Sequence, residues 1–443
     1  MLQRIAGPGP FFRAVLVLAF GCGGSSAICD VGALEDALAS AAAGDVVAVG
    51  QCEITDVSVT VPAGVTLRGE DGSVLAGSGT VVQLGDGAAI ESLRVRSADG
   101  VGIQTGPGGE LTDVVVELQR GIGITLRGSD IAITRVRIEG PDDAEDLPPF
   151  AEPSEGAYGL VSVDASNVAI ADLEIAQAGP WGAILANTTL TWVGGLLEDV
   201  VGTGVYVDGG SADLQDVTFR RFGSGLQPLP AYGAVFTENA LATTSGLDIS
   251  EVDLGILHDA SSGTHTDLAA HDIRYGGVWI QRSDDVSLMG GVLERNGVTS
   301  VASVRSSNVT LDGTLIESSV SQLAIFGEIT AVETGDGVQL VEPTGPNTLR
   351  AVMLQNHPRI GLLLDLQDMA ALDQVSLTDV TVQGDELGCL AQTIDGLIPL
   401  GGWDDQVNRI GGVGDNDAAR GELLDLGGGL SDGNLPDVDT TEL

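Results

Sequence analysis

Apolar and polar residues alternate along most of the chain, in short runs that begin at a glycine and end in a polar turn. Between residues 102 and 361 such a run returns about every 22 residues, and a second run rich in β-branched residues follows each one. The alternation predicts strands, and the fixed repeat predicts a solenoid whose units bury their apolar faces against one another. The opening glycines are Gly102, Gly123, Gly159, Gly182, Gly204, Gly233, Gly255 and Gly277.

The alternation also predicts which side chains point into the core. The residue after each opening glycine is apolar in every repeat, and the residue two places further on is mostly apolar, with His258 as an exception. Both positions should form inward columns, because residues i and i+2 of a strand share a face. The first column consists of Ile103, Ile124, Leu160, Ala183, Val205, Ala234, Ile256 and Val278.

The other positions of these strands should point outward. Strict alternation assigns the three aromatic residues that stand directly before a glycine, Tyr158, Trp181 and Tyr232, to an internal stack. The predicted outward residues are Val161, Ile184, Tyr206, Val235, Leu257 and Trp279, followed two places later by Asp208, Thr237, Asp259 and Gln281.

Short polar residues recur in the turns of the repeat. Such side chains bond to their own backbone and favour corners, so most of these acids are predicted to be architectural. Those that immediately precede the last strand of a repeat are Asp113, Asp172, Asp216, Asp272 and Asp379.

These repeats resemble those of right-handed parallel β-helices of the pectin-lyase-like superfamily. The segment LEDALASAAAGDVVAVGQCEI at 34–54 resembles the capping helix and first strand of that superfamily, and Val31, Leu34, Leu38 and Ala41 follow helical spacing. The resemblance covers about residues 30–390. It implies an all-β fold, a right-handed parallel β-helix solenoid with an N-terminal capping helix. The superfamily includes lyases, hydrolases, adhesins and inert scaffolds, so no single activity is implied.

The first 27 residues have the pattern of an export leader. Arg4 and Arg13 precede the apolar run 14–20, which is too short to span a bilayer. Two cleavage sites fit. Cleavage before Cys22 would leave a bacterial lipoprotein anchored by a lipid on that cysteine, and the Gly-Ser stretch that follows suits a tether. Cleavage after Ala27 would release a secreted protein.

The repeat weakens after Gly297, and a stretch at 328–347 is predicted to be irregular. The chain is expected to cap its far end after about Gly384. The predicted division is a leader at 1–27, a β-helix with its N-terminal cap at 28–390, and a C-terminal cap with an acidic tail at 391–443.

Export places the remaining cysteines in an oxidising compartment, where disulfides form. Cys29 lies just before the capping helix and Cys52 at the end of the first strand, so these two are expected to pair. Cys389 lies at the far end of the stack and is expected to stay a buried thiol. The expected localisation is the cell envelope, through a lipid on Cys22 as the only membrane contact, or the secreted space.

The chain carries 63 acidic and 19 basic residues, for a formal charge of −44, and every basic residue is arginine. Such a surface repels polyanions, so neither a nucleic acid nor a bare acidic polysaccharide is an expected ligand. The four histidines follow no metal-ligand spacing. No cofactor or metal site is therefore expected, and calcium stays open although no motif indicates it.

Two insertions interrupt the repeat at one corner, at 141–157 and at 223–231. They are expected to form two walls of a groove across the outward face of the opening strands. In that groove Tyr206, Trp279 and Gln281 are the predicted ligand-binding residues, because aromatic residues beside spaced polar ones suit a sugar chain. The alternative is that the insertions or another chain cover this face.

The catalytic motifs of the resembled superfamily are mostly absent. Its polygalacturonase-like members carry Gly-His-Gly and Arg-x-Lys, and this chain has neither. Asp208 and Asp259 are the remaining candidate catalytic pair, at a separation near the upper end of the ~6.5 to 9.5 Å of inverting glycosidases. The sequence therefore favours a non-catalytic, membrane-tethered scaffold that binds a glycan or a surface protein. The alternative is a glycoside hydrolase or lyase that uses the outer groove.

Overall fold

The computed structural model describes residues 27–142, 156–223, 230–320, 322–326, 329–383, 387–393 and 396–397. Over these ranges the chain forms a right-handed parallel β-helix with an N-terminal helix, which confirms the predicted fold. Each coil contributes strands to three parallel sheets. We call them the first, second and third sheets, in the order in which the chain visits them after each opening glycine.

The first sheet contains the strands that carry the opening glycines. Each strand pairs with its equivalent in the next coil, so that Val205 lies beside Ala234 and Ala234 beside Ile256. Val74–Leu84 and Arg94–Gln104 enter this sheet from the third sheet. Its other strands are Val59–Val61, Gly121–Leu126, Ala157–Val163, Trp181–Ala186, Thr203–Asp208, Tyr232–Thr237, Leu254–Asp259, Gly276–Gln281, Thr299–Val304, Asp336–Val341, Ile360–Leu366 and Leu387–Thr393.

The second and third sheets complete each coil. Strands of the second sheet are Val46–Val49, Thr66–Gly69, Ala89–Glu91, Glu110–Thr112, Leu241–Ser245, Ser262–Thr266, Val286–Met289, Val309–Asp312, Asn347–Arg350 and Val375–Thr378. Strands of the third sheet are Glu53–Ile54, Val115–Leu118, Asp248–Ser250, Ala269–His271, Val292–Glu294, Leu315–Glu317, Met353–Gln355 and Thr381–Gln383. The strands that run from the second sheet into the third are Ala132–Glu139, Val168–Ala176, Thr189–Glu198 and Ser211–Arg220.

An antiparallel hairpin, Gln322–Phe326 with Ile329–Thr334, interrupts the repeat between the third and the first sheet. It occupies the same corner as the two predicted insertions, of which residues 143–155 and 224–229 lie outside the described ranges. The other described elements are the 3-10 helix Met369–Gln374 and the strand Gly396–Leu397, which pairs antiparallel with Leu387–Thr393.

A helix at Val31–Ser40 caps the first coil, as predicted. The Asp30 side chain begins it by accepting a hydrogen bond from the backbone N–H of Ala33 at 3.0 Å. Leu34 and Leu38 are buried and belong to the same apolar core as the coils. The helix therefore closes the open end of the stack with its apolar stripe.

A disulfide joins Cys29 to Cys52 across 5.8 Å between their Cα atoms, which confirms the predicted pair. Disulfides are typical of proteins that fold outside the cytoplasm. Cys389 is free and buried, and burial raises the pKa of its thiol to about 12. Residues 1–26 lie outside the described ranges, so the lipid anchor at Cys22 stays a prediction. Among the described residues, no helix has the length and apolar character needed to cross a membrane.

The predicted inward column is confirmed. Its members are fully buried and belong to one continuous core that runs the length of the stack. These side chains lie in register from coil to coil, so each covers its neighbour and no repeat has to bury its core alone. They are Ile103, Ile124, Leu160, Ala183, Val205, Ala234, Ile256 and Val278.

The opening glycines reverse the alternation. A Cβ on Gly159 would lie 2.8 Å from Ile175 Cγ2 in the core and 2.3 Å from the backbone oxygen of the next coil's glycine. The glycine and the residue after it therefore both face inward, and the residue before it faces outward. The prediction that Tyr158, Trp181 and Tyr232 form an internal stack is wrong for this reason, because all three pack with the outward residues.

The acids predicted at the corners take a left-handed backbone conformation, although Asp172 and Asp216 lie within continuous strands. Each has a backbone φ between 53° and 57°. That left-handed conformation is one that Asp tolerates better than most residues, because its short side chain bonds locally. The five corner residues are Asp113, Asp172, Asp216, Asp272 and Asp379.

Part of the stretch predicted to be irregular is a regular coil. Asp336–Val341 is a first-sheet strand, and Val338 pairs with Val301 of the preceding coil. Ser300 stands where an opening glycine is expected, which hid this register in the sequence. The first sheet also continues past residue 384, through Leu387–Thr393.

Candidate functional site

The outer face of the first sheet gathers most of the tryptophan and tyrosine side chains of the protein. By the outer face of the first sheet we mean the side chain of the residue directly before each opening glycine and the side chains of the residues two and four places after that glycine. Of the four tryptophans and four tyrosines in the chain, five pack there in one apolar cluster. They are Tyr158, Trp181, Tyr206, Tyr232 and Trp279.

The outer face is covered, and not open as predicted. Tyr206, Trp279 and Gln281 point outward, but their exposed fractions are only 5%, 3% and 5%. By contrast, outward Leu241 in the second sheet is 50% exposed. The predicted open groove is therefore wrong, and the alternative of a covered face describes these residues better. Their role in binding a ligand stays a prediction.

The glycine corners bring aromatic side chains of successive coils into contact. Trp181 stands before one glycine and Tyr206 two places after the next, and their ring centroids are 5.3 Å apart with the planes at 61°. The hydroxyl of Thr237 donates to the Tyr206 hydroxyl oxygen at 3.4 Å. Burial, together with the charge of Asp253, raises the pKa of Tyr232 above its ordinary value. The phenol of Tyr232 therefore stays protonated at neutral pH.

Asp208 and Asp259 lie in one outward column, two coils apart, with Thr237 between them. Arg282 donates through Nε to Asp259 Oδ1 at 2.9 Å and through Nη2 to Oδ2 at 2.6 Å. The Asp259 side chain is 8% exposed, while that of Arg282 is 47% exposed. Arg282 therefore holds both carboxylate oxygens of Asp259. Asp208 is half-buried.

A further buried acid lies on the outer face, where the sequence analysis predicted none. Asp336 is fully buried and is paired with Arg359, whose Nε donates to Asp336 Oδ1 at 2.7 Å. Gln339 is also fully buried, and its Nε2 donates to Asp336 Oδ2 at 2.7 Å. In the sequence, Gly337 followed by Val338 could have indicated this coil, because the other coils open with the same glycine and apolar residue.

The histidines lie mostly inside the coils. His258 and His265 are fully buried and bond to each other, and His357 bonds through Nδ1 to the Ser319 hydroxyl at 2.9 Å. His271 lies on the outside beside Asp272. Within the part of the chain that the structure describes, no three His, Cys, Asp or Glu side chains come together to hold a metal ion. The expectation that the protein has no cofactor, with calcium left open, stays a prediction.

The sequence matches no protein-family profile and none of the curated proteins. Among solved structures it is similar to the Dettilon tailspike protein, at 12% identity and a TM-score of 0.46, over 74% of this chain and 62% of that one. It is also similar to the A-module of the Azotobacter vinelandii mannuronan C-5 epimerase AlgE4, at 15% identity and a TM-score of 0.34, over 83% of this chain and 87% of that one. An alginate lyase in complex with a trisaccharide matches at 11% identity and a TM-score of 0.36, over 87% of this chain and 85% of that one. The chain thus spans less than two thirds of the tailspike, and these likenesses show the fold alone.

One expectation from the sequence is corrected by this comparison. The favoured prediction was a non-catalytic scaffold, but solved structures that match this chain are named as an epimerase and as an alginate lyase. The expectation of a non-catalytic scaffold is corrected on this finding and is not kept, while the polysaccharide-active enzyme that was its alternative stays a proposal.

Proposed function

We propose that this protein is an exported enzyme that cleaves a polysaccharide, as a glycoside hydrolase or a lyase, at the outer face of the first sheet. One observation carries the proposal. The carboxylate Asp208 and the Asp259–Arg282 ion pair lie on the same face of the solenoid as the cluster that contains Tyr206 and Trp279. Groups that can move a proton and groups that can bind a sugar are thereby combined at one place.

The aromatic cluster supplies the sugar-binding part of this site. Sugar rings present apolar C–H faces that pack against aromatic rings, while their hydroxyl edges require polar partners. Tyr206 and Trp279 provide rings, and Thr237 and Gln281 provide polar groups four places after their opening glycines. Successive coils repeat this arrangement at about 4.8 Å, the strand spacing. Because Tyr206 and Trp279 are only 5% and 3% exposed, a sugar chain laid along the stack would reach only the edges of these rings.

Asp208 is the proposed proton-transfer group. In a hydrolase it would protonate the glycosidic oxygen, and in a lyase it would accept the proton from the carbon beside the sugar carboxyl group. Asp259 lies about two strand spacings away, close to 10 Å between backbones, with Arg282 bonded to both of its carboxylate oxygens. Arg282 keeps nearly half of its side chain exposed, so it can meet negative charge that develops on the substrate.

The lipid anchoring of the exported protein is part of the same proposal. The Cys29–Cys52 disulfide fits an exported protein. The apolar run 14–20 followed by Cys22 supports a lipoprotein leader, with Cys22 as the lipid-bearing residue and the only membrane contact. The partner is then a glycan at or near the cell envelope.

The experiment is a digestion of a polysaccharide panel, neutral and acidic, with the purified protein and with chain-length analysis of the products. A hydrolase produces new reducing ends without unsaturation, while a lyase produces an unsaturated end that absorbs in the ultraviolet. Either result supports the proposal and assigns the reaction class. The absence of shortened chains from every polysaccharide would contradict it.

A further inference from the structure

The C-terminal end of the stack has strand edges that no described strand pairs with. In the last coil, Val375–Thr378 of the second sheet and Thr381–Gln383 of the third sheet each pair on one side only, with the preceding coil. Within the described ranges nothing pairs with their other side. Such an edge is a template for another strand, so native proteins cover or block it.

The apolar side chains of this last coil are buried all the same. Leu377, Val380 and Val382 are 3%, 0% and 0% exposed and belong to the continuous core. At the other end of the stack, the helix Val31–Ser40 gives the first coil the same protection. The burial of the last coil therefore requires a cover of a similar kind.

The described elements at this end cover only part of the coil. The 3-10 helix Met369–Gln374 packs against the two strands that it joins. Leu387–Thr393 continues the first sheet, and Gly396–Leu397 pairs with the free edge of that strand, one layer beyond it. Over the second and third sheets no described strand lies beyond Leu377 and Val382. The chain therefore leaves the described ranges at the end that needs a cover.

The residues that follow carry an apolar stripe that fits such a cover. Residues 398–443 are about twice as long as one coil. Within 400–410, apolar residues recur three and four places apart, which is the spacing of one face of a helix. Two acids stand near the start of this pattern, and an arginine and two glycines stand near its end; this order favours a helix and then its end. The stripe consists of Leu400, Trp403, Val407 and Ile410.

We propose that residues 398–410 form a C-terminal cap, whose apolar stripe packs over Val380 and Val382 and blocks the free strand edges. The cap mirrors the N-terminal helix, which buries its own apolar stripe against the first coil. A second copy of this chain is a poor occupant of the same place, because two molecules of formal charge −44 repel each other. The inference does not depend on the proposed enzymatic function, because the cap lies at the end of the stack, several coils away from Asp208.

Cys389 reports on this cap. Its thiol is free and only 5% exposed, and it lies on the last parallel strand of the first sheet. The test measures the rate at which N-ethylmaleimide labels Cys389 in the complete protein at about pH 8, where an exposed thiol reacts readily. Mass spectrometry identifies the labelled peptide. Labelling of the wild type should be slow, because the thiolate is the reacting form and burial raises the pKa of this thiol to about 12.

Two variants weaken the stripe. Trp403→Ser removes its largest side chain and should raise the labelling rate about tenfold or more. Val407→Ala removes less apolar area and should give a smaller increase. Asp405→Ser and Asn408→Ala are the matched controls, since they introduce the same new residues at positions off the stripe. Both controls should keep the wild-type rate.

Amide hydrogen exchange separates local uncovering from unfolding of the stack. In the stripe variants, exchange should rise at 375–383 and stay at the wild-type level in Thr203–Asp208, several coils away. A variant whose exchange rises in both regions has unfolded, and the other stripe variant then decides.

Three results would overturn the cap. One is a wild-type labelling rate in every stripe variant that folds. Another is a control variant that exposes Cys389 as much as its matched stripe variant does. The third is a wild-type protein whose labelling rate rises on dilution, because a second copy, and not residues 398–410, would then cover the end of the stack.

Discussion

His258 and His265 meet inside the core of the β-helix, where their Nε2 atoms are 2.7 Å apart. His258 Nδ1 lies 2.9 Å from the Ser261 hydroxyl, and His265 Nδ1 lies 2.8 Å from the Thr244 hydroxyl. Only one hydrogen fits between the two Nε2 atoms, so one ring donates and the other accepts. The pair is satisfied when both rings are neutral, because a second proton would have to enter a site closed to water.

This pair predicts loss of stability in acid. Burial lowers the pKa of His265 to about 4, and burial together with His265 lowers the pKa of His258 well below 6.5. The unfolded chain takes up these protons near pH 6.5, while the folded chain does not. Stability should therefore be full above about pH 6.5 and fall toward pH 4, by about 1.4 kcal/mol per pH unit for each histidine. Denaturant unfolding at several pH values measures this slope.

A double variant, His258→Leu with His265→Leu, should show a shallower slope over the same pH range. His271→Gln is its control, because His271 lies on the outside of the coil and its replacement should keep the wild-type slope. Equal slopes for the wild type and the double variant would contradict the assignment.

The glycine corner predicts a second effect on stability. A Cβ on Gly233 would lie 2.5 Å from the Gly255 carbonyl oxygen and 3.0 Å from Ile249 Cγ2. Gly233→Ala should therefore lower the free energy of unfolding by about 1–3 kcal/mol, as overpacking of a core does. Gly32→Ala, within the capping helix, should be neutral or stabilising, since alanine favours helices. An unchanged denaturation midpoint for Gly233→Ala would show that this glycine does not face the core.

The disulfide predicts sensitivity to reductants. Cys29 and Cys52 are 23 residues apart, so opening their bond should lower the free energy of unfolding by about 3 kcal/mol in the chain-entropy account. Unfolding curves with and without dithiothreitol measure the difference. Cys389→Ala should keep the full sensitivity, because Cys389 is free. If Cys52→Ala unfolds at the same midpoint as the oxidised wild type, the bond does not stabilise the fold.

The leader predicts how the protein fractionates. If Cys22 carries a lipid, Cys22→Ser should move the protein from the membrane to the soluble fraction of an expressing bacterium. Immunoblots of the two fractions measure this change. Cleavage after Ala27 would instead leave the distribution unaffected by the substitution.

Much of the fold could be predicted from the sequence, because neighbouring coils repeat the same local constraints. The apolar residue after each glycine, such as Val205 or Val278, had to face inward in every coil, and it does. The corner acids and the Cys29–Cys52 pair followed from local turn chemistry and from the position of the helix. These features depend on residues close in sequence or one coil away.

The features that could not be predicted depend on geometry that alternation ignores. Counting by two across an opening glycine assumes a straight strand, but the glycine bends the chain and turns Trp181 and its equivalents outward. Ser300 in place of a glycine concealed the register of Asp336 and Gln339. The burial of Trp279 depends on what packs against the outer face, and no periodic pattern reports that.

The central claim is that the outer face of the first sheet is an active site with Asp208 as its proton-transfer group. The most direct test is the kcat of Asp208→Asn on the polysaccharide that the wild type cleaves best. Asp216→Asn is the matched control, because it changes an exposed acid of the same coil, at a left-handed corner that Asn also tolerates. We predict that Asp208→Asn lowers kcat at least a hundredfold with an unchanged Tm, as expected for the loss of a general acid or base, while Asp216→Asn keeps the wild-type kcat. A folded Asp208→Asn variant with the wild-type kcat would contradict the claim.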